Sequence, residues 1–135
     1  MKTKQVIVVR RWYQDAQGRM FSLRAGKFIA QASHASMAFL TKRLAQLTEN
    51  DYKITLSEVE QAWLNSSFAK VVVRVNSEEE LLEIERKAKE AGLECNVVTD
   101  SGRTEFKGIP TKTCLAIGPD IADKIDSITA NLELY

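Results

Sequence analysis

The sequence predicts an α/β fold: a three-layer sandwich with a mixed sheet of about four strands and helices on both faces. Three observations carry this. Short β-branched runs such as QVIVVR and KVVVRV alternate with longer segments of helical periodicity, the pattern of a sheet interleaved with helices. The runs are continuously apolar rather than alternating, as expected where both faces of a sheet are covered. Strand–helix–strand connections favour parallel pairing, while the short polar link after Thr99 leaves the direction of the last two strands open.

The elements follow in order. Gln5–Arg10 reads as the first strand. The polar stretch from Arg11 to about Arg24 contains Gly18 and suits a small excursion or hairpin. From Ala25 a helix sets in, with Phe28, Ile29, Ala32, Ser36, Phe39 and Leu40 at three- and four-residue steps and Leu44 and Leu47 near its end. Residues 49–56 read as a loop. Ser57 caps a short helix to about Trp63, with Glu58 and Glu60 at its positive end. Lys70–Val75 is a second strand. Ser77 and Glu80 have capping-box spacing at the start of a helix that runs to about Ala91, and Gly92 stops it. Cys95–Thr99 and Thr113–Gly118 are two more strands, and Pro119 and Asp120 open a last helix to about Ala130. No repeat or linker interrupts the chain, so residues 1–135 are expected to form one domain.

Composition excludes several classes. At 44% hydrophobic and 27% charged residues, the chain has the make-up of a soluble globule. No apolar run approaches the roughly 20 residues needed to span a bilayer, and the few apolar residues before Arg10 and Arg11 do not make a signal peptide. Cys95 and Cys114 fall inside apolar strands, which suits reduced, buried thiols in a cytoplasmic protein. One histidine and two separated cysteines cannot supply the usual zinc set. A Cys–His nucleophile pair of His34 with either cysteine fits those apolar contexts poorly. Gly26-Lys27 lacks the remaining residues of a P-loop. Net charge is +1, but residues 1–47 hold nine basic residues against Asp15 alone, and the remainder is −7. Either a basic face attracts phosphates or the two halves neutralise each other.

Two segments would meet at the carboxyl ends of the strands, where α/β sheets bind ligands. In RAGKFIAQASHAS, Lys27, Gln31 and His34 fall within roughly 60° of one another, opposite Phe28, Ile29, Ala32 and Phe39. Lys27 lies in the first turn, where free N–H groups favour anions; the stripe reads equally as a solvated face. The other segment is TDSGRTEFKGIPTKT. Asp100 there is either the cap of an Asx-type turn or a carboxylate that orients water for ester hydrolysis. Thr104, Thr111 and Thr113 are candidate donors to an oxyanion or a phosphate. Trp12, Tyr13 and Phe21 flank basic residues and suit base stacking or a core.

Together, GKFIAQASHAS, KVVVRVNSEEELLEIERKAKEAGL, DSGRT and TKTCLAIGPDIADKID resemble the type 2 peptidyl-tRNA hydrolases of archaea and eukaryotes and their bacterial relatives, over nearly the whole chain. The resemblance implies a four-stranded mixed sheet flanked by helices, a homodimer, and hydrolysis of the ester joining a peptide to the terminal ribose of tRNA. It implies no metal or organic cofactor. It places Lys27, Asp100, Thr104 and Thr113 in the catalytic set, with Gln31, Ser33, His34, Arg103 and Thr111 as candidates for ordering the site or holding tRNA. Two departures stand out: Arg11–Leu23 looks like an insertion, and EFKGIPTK between Thr104 and Thr113 is one residue longer than the usual spacing, which leaves Thr111 and Thr113 as alternatives. A non-catalytic RNA-binding adaptor on the same scaffold, or a hydrolase of another ester or amide, are the rival readings. Convergence of Lys27, Asp100 and Thr104 on one cleft would favour a hydrolase.

Overall fold

The computed structural model describes residues 1–45, 50, 53–103 and 106–135. Its main sheet has five strands in the order β5-β6-β1-β4-β7, and a separate ribbon pairs β2 with β3. The strands are β1 (Thr3–Arg10), β2 (Tyr13–Gln14), β3 (Met20–Phe21), β4 (Lys70–Val75), β5 (Cys95–Asp100), β6 (Thr111–Ile121) and β7 (Glu133–Leu134). The helices are α1 (Ala25–Leu44), α2 (Glu58–Leu64), α3 (Glu78–Glu90) and α4 (Ala122–Thr129). β1 runs parallel to β4 and antiparallel to β6, and β5 runs antiparallel to β6. The mixed three-layer sandwich expected from the sequence is therefore present.

Successive residues of each strand supply the two layers, because side chains alternate across a sheet. Val6, Val8, Val73, Val75, Leu115 and Ile117 pack on Leu81, Ile84 and Ala88 of α3 and on Ile125 of α4. Ile7, Val9, Cys114 and Ala116 pack on Ala35, Phe28 and Ala32 of α1. Gln5 is fully buried on the α1 side. Its amide donates to the Ser36 carbonyl at 2.9 Å, and the Ser36 hydroxyl donates back at 2.6 Å. Such a reciprocal pair satisfies a buried amide that would otherwise cost about 1–3 kcal/mol, and it sets the height of α1 on the sheet.

Three elements differ from expectation. The fifth strand, β7, is only two residues long, too short to show a period. The last long strand begins at Thr111 and continues to Ile121 through a cis Gly118–Pro119 bond, so α4 starts at Ala122 and not at Pro119. The ladder to β1 shifts register between Lys4 and Val6, opposite that bond. In α1, Ile29 belongs to the apolar period yet is 67% exposed, and the polar Gln31 is only 5% exposed. The period reported a helix but misplaced its inner face by about one residue. Leu47 lies outside the described residues. The stretch after β1, read as an excursion or hairpin, forms the β2–β3 hairpin.

Part of the basic first third is neutralised within the fold. Lys4 pairs with Asp126, Arg19 with Asp15, Lys27 with Asp100, and Arg43 with Glu60 and Glu94. Arg43 grips both oxygens of Glu60 at 2.9 and 2.8 Å, and Glu60 completes a capping box with Ser57. That network ties the end of α1 to the start of α2.

Candidate functional site

Lys27 and Asp100 meet at the carboxyl end of β5. Lys27 is the third residue of α1, a helix with no acidic residue in its first turn and no side-chain cap at Arg24. A cation there opposes the positive end of the helix dipole. The opposition is offset by Asp100, whose Oδ1 accepts from Lys27 Nζ at 2.8 Å. The remaining Asp100 oxygen, Oδ2, accepts from the Gly102 amide at 2.8 Å. The carboxylate thus closes the Asx-type turn and at the same time faces the lysine helix.

Gln31, one turn further along α1, joins the pair to β6. Its Nε2 is 3.4 Å from Asp100 Oδ1, and its Oε1 accepts from the Thr113 hydroxyl at 2.5 Å. Thr113 has one proton to give, so this bond sets which end of the Gln31 amide faces Asp100. A β-bulge makes the contact possible. Val98 pairs with Cys114, but Thr99 pairs with Lys112, leaving Thr113 as the extra residue on β6. Bulges re-aim side chains in this way. Here the bulge turns Thr113 toward α1 alongside its neighbour Cys114, whose thiol donates to the Gln31 carbonyl at 3.2 Å. The part of Cys114 is one that sequence reasoning missed; the extra residue in the Thr104–Thr113 spacing was the only visible hint of irregularity.

The loop after β5 is held by its own backbone. Gly102 has φ +86°, and a Cβ there would lie 2.3 Å from the Ile109 carbonyl oxygen. Its carbonyl accepts from the Gly108 amide at 2.7 Å. The aromatic ring of Phe106 then turns inward against Tyr13, whose centroid is 5.0 Å away, and Leu23 completes the cluster. The stretch after β1 and the loop after β5 therefore pack on each other.

The other candidates stand apart. Ser33 is exposed and donates to its own helix at Ile29, and the Thr111 hydroxyl donates to the Ile109 carbonyl at 2.8 Å. His34 is exposed and near enough for its charge to act on Asp100, and Arg103 is exposed on the loop. Thr104 lies outside the described residues. Of the first-loop aromatics, Tyr13 and Phe21 form part of the small core, and Trp12 lies under the Arg11 guanidinium at 4.8 Å.

Electrostatically, the hydrogen bond from Lys27 holds the Asp100 carboxyl below the usual carboxylate range, against the opposing effect of burial; the Gly102 amide and the charges of Lys27 and His34 add to it. Asp100 is therefore anionic at neutral pH and a weak proton acceptor. What the cluster presents to a ligand is a partly buried ammonium, oriented by a fixed carboxylate and backed by a hydrogen-bonded amide. Burial pushes the thiols of Cys95 and Cys114 up to about 12, which makes both poor nucleophiles. Among the described residues no group of three or more His, Cys, Asp or Glu side chains could hold a metal ion, and no helix is long and apolar enough to cross a membrane.

Comparison with known proteins points in one direction. The family model described as "Peptidyl-tRNA hydrolase PTH2" matches residues 3–135. The chain is 38% identical to a peptidyl-tRNA hydrolase of Nanoarchaeum equitans, with 98% of each chain covered. It is 37% identical to that of Methanocaldococcus jannaschii and 40% identical to that of Methanothermobacter thermautotrophicus, each over 97% of this chain and 98% of the relative.

Proposed function

Since the chain belongs to the peptidyl-tRNA hydrolase family PTH2, we propose that it hydrolyses the ester of peptidyl-tRNA, releasing peptide and free tRNA, with Lys27 and Asp100 at the centre. The observation that carries the assignment of residues is the 2.8 Å pair of Lys27 and Asp100 at the strand ends. Ester hydrolysis develops negative charge on the carbonyl oxygen, and an ammonium fixed at the edge of a cleft stabilises it. Lys27 is the donor to that oxyanion. Asp100, kept anionic, orients Lys27 and accepts a hydrogen bond from the attacking water; its low proton affinity makes it a better positioner than general base. Gln31 on α1, itself bonded to Thr113 on β6, holds Asp100 in place. Thr104 keeps the role that the resemblance implies, a hydroxyl through which Asp100 acts on the water, with Ser33, His34, Arg103 and Thr111 flanking the path of the tRNA.

Three further readings rest on this one. A homodimer is supported by the exposed stripe of Ile29 and Met37 on α1, 67% and 57% exposed, and sedimentation velocity tests it. A cytoplasmic setting is supported by two buried cysteines that are both free. A single domain is supported by a sheet that joins strands from both ends of the chain.

The test of function is deacylation of an N-blocked aminoacyl-tRNA by the wild type, Lys27→Ala and Asp100→Ala. The wild type is expected to turn over and both variants to lose most of their rate. A folded wild type without turnover above background would refute the reaction. An Asp100→Ala variant as fast as wild type would refute the part given to Asp100.

A further inference from the structure

Asp100 is held by Gln31, and Gln31 by Thr113, the extra residue of the β6 bulge. Whatever holds the bulge therefore bears on the site. On one side β5 pairs across it, with Val98 at Cys114 and Thr99 at Lys112. On the other side the ladder from β1 stops short, at the pair of Val9 with Cys114. β1 itself runs on to Arg10, which still pairs with Val75 of β4. The bulge thus lacks a strand partner on its β1 side, at the point where an extra residue already disrupts the ladder.

A side chain stands in for the missing rung. Arg10, the last residue of β1, directs its Nη1 to the Lys112 carbonyl at 3.4 Å, which belongs to the peptide that leads into Thr113. Its Nε donates to the Trp12 carbonyl at 2.9 Å, and its guanidinium lies over the Tyr13 ring at 4.3 Å. The Tyr13 hydroxyl completes the arrangement by donating to the Arg10 carbonyl at 3.2 Å. Among the described residues, the hydrogen bonds of the Arg10 side chain go to these two carbonyls and to no carboxylate. A planar fork with donors fixed in direction can span two carbonyls and stack on a ring at once. An ammonium on a flexible stem is a point charge and cannot. Arg10 is thus used for its shape, where Lys27 is used for its charge.

We infer that Arg10 is a positioning residue for the proposed reaction. It braces the peptide between Lys112 and Thr113 from the end of β1. The brace keeps the Thr113 hydroxyl on Gln31 and, through Gln31, keeps Asp100 in register with Lys27. The inference rests on the peptidyl-tRNA reading and deepens it, with a link that no candidate site residue supplies. It also separates two uses of a cation at this end of the sheet. A cation that grips phosphate acts by charge, is largely replaced by lysine, and governs KM. A brace acts by geometry, is not replaced by lysine, and governs kcat.

The experiment compares wild type, Arg10→Lys and Arg10→Met, and it begins without substrate. In ¹⁵N-labelled protein the Gln31 side-chain amide and the Thr113 backbone amide are expected to shift in Arg10→Lys, while the amides of α3 stay in place. Unmoved Gln31 signals in the folded variant would overturn the brace. This readout stands whether or not the protein hydrolyses anything, so it fails separately from the reaction. Steady-state deacylation of an N-blocked aminoacyl-tRNA then divides the two uses. Misplacing a catalytic group by 1 Å costs about a hundredfold, and a bulge that keeps its other bonds moves less, so kcat is expected to fall about tenfold in both variants. KM should stay within about twofold of wild type. An unchanged kcat would overturn the inference, and so would a KM that rises in Arg10→Met and is restored in Arg10→Lys, because Arg10 would then touch the RNA. In a Thr113→Val background Arg10→Lys should add almost nothing, since residues that act through one link are not additive. A second loss of about tenfold there would show that Arg10 acts by another route. Should Arg10→Met fail to fold, the Gln31 signals, kcat and the Thr113→Val background are all read in Arg10→Lys.

Discussion

Replacing Gly102 by alanine isolates what the loop after β5 contributes, because a second glycine serves as its control. Gly102 and Gly108 have nearly the same left-handed backbone, φ +86° and +81°. An added Cβ meets nothing within 4 Å at Gly108, but at Gly102 it meets the Ile109 carbonyl oxygen at 2.3 Å. Gly108→Ala therefore carries only the left-handed penalty, about 1–2 kcal/mol. Gly102→Ala carries that penalty and must also open the contact by about 1 Å to reach an ordinary carbon–oxygen distance. The shift strains the bond from the Gly102 amide to Asp100, a charge-assisted bond of about 1.5–3 kcal/mol. The expected loss for Gly102→Ala is roughly 3 kcal/mol or more, read as a lower urea midpoint at constant slope. A 1 Å displacement of a catalytic group can reduce turnover about a hundredfold, so kcat on N-blocked aminoacyl-tRNA should fall by that order in Gly102→Ala and stay near wild type in Gly108→Ala. Equal midpoints and equal rates for the two variants would show that the loop does not position Asp100.

Thr113→Val strands the buried Gln31 oxygen and should cost about 1–3 kcal/mol of stability along with most of the activity. Thr111→Val, whose hydroxyl serves only its own loop, should stay within about 0.5 kcal/mol of wild type; urea melts and deacylation rates of the pair decide which threonine matters. Lys27→Met removes the largest cause of the low Asp100 pKa. A carboxyl whose folded pKa is depressed stabilises the fold above its unfolded value, near 3.9, and loses that contribution as pH falls through the folded value. The stability gap between wild type and Lys27→Met should thus be full at neutral pH and shrink below about pH 4, whereas a pH-independent gap would remove the ion pair as its cause. Cys95 and Cys114 should resist iodoacetamide in the native protein at about pH 8, since burial suppresses both thiolates, and both should react once urea unfolds it; rapid native labelling would contradict the burial.

Much of this was legible from local pattern. The long strands and helices announced themselves by period and caps, and Ser57 and Ser77 cap as their spacing suggests. Lys27 and Asp100 were visible as motif residues, and the fold brings them into contact. What the pattern did not carry was set by tertiary pairing. The inner face of α1 is decided by which residues meet β6, so the polar Gln31 is buried and the apolar Ile29 is not. That Thr113 and not Thr111 meets Gln31 depends on a bulge, and a bulge is a property of two strands together. The charge asymmetry suggested a basic face, yet Lys4, Arg19, Lys27 and Arg43 each find a carboxylate, three of them far along the chain. The mutual packing of the hairpin and the long spacer joins residues more than 80 positions apart in sequence, Tyr13 with Phe106.

The Lys27–Asp100 pair also bears on which molecules the cleft ignores. The anion-binding end of α1 comes with a tenant, a carboxylate tethered to the same chain and therefore present at a high local concentration. A stray phosphate or free nucleotide has to compete with that tenant using one or two contacts. A large substrate has contacts spread over a long molecule and does not depend on displacing it. On the proposed mechanism, the ion pair disfavours small anions at this end of α1 before any chemistry begins.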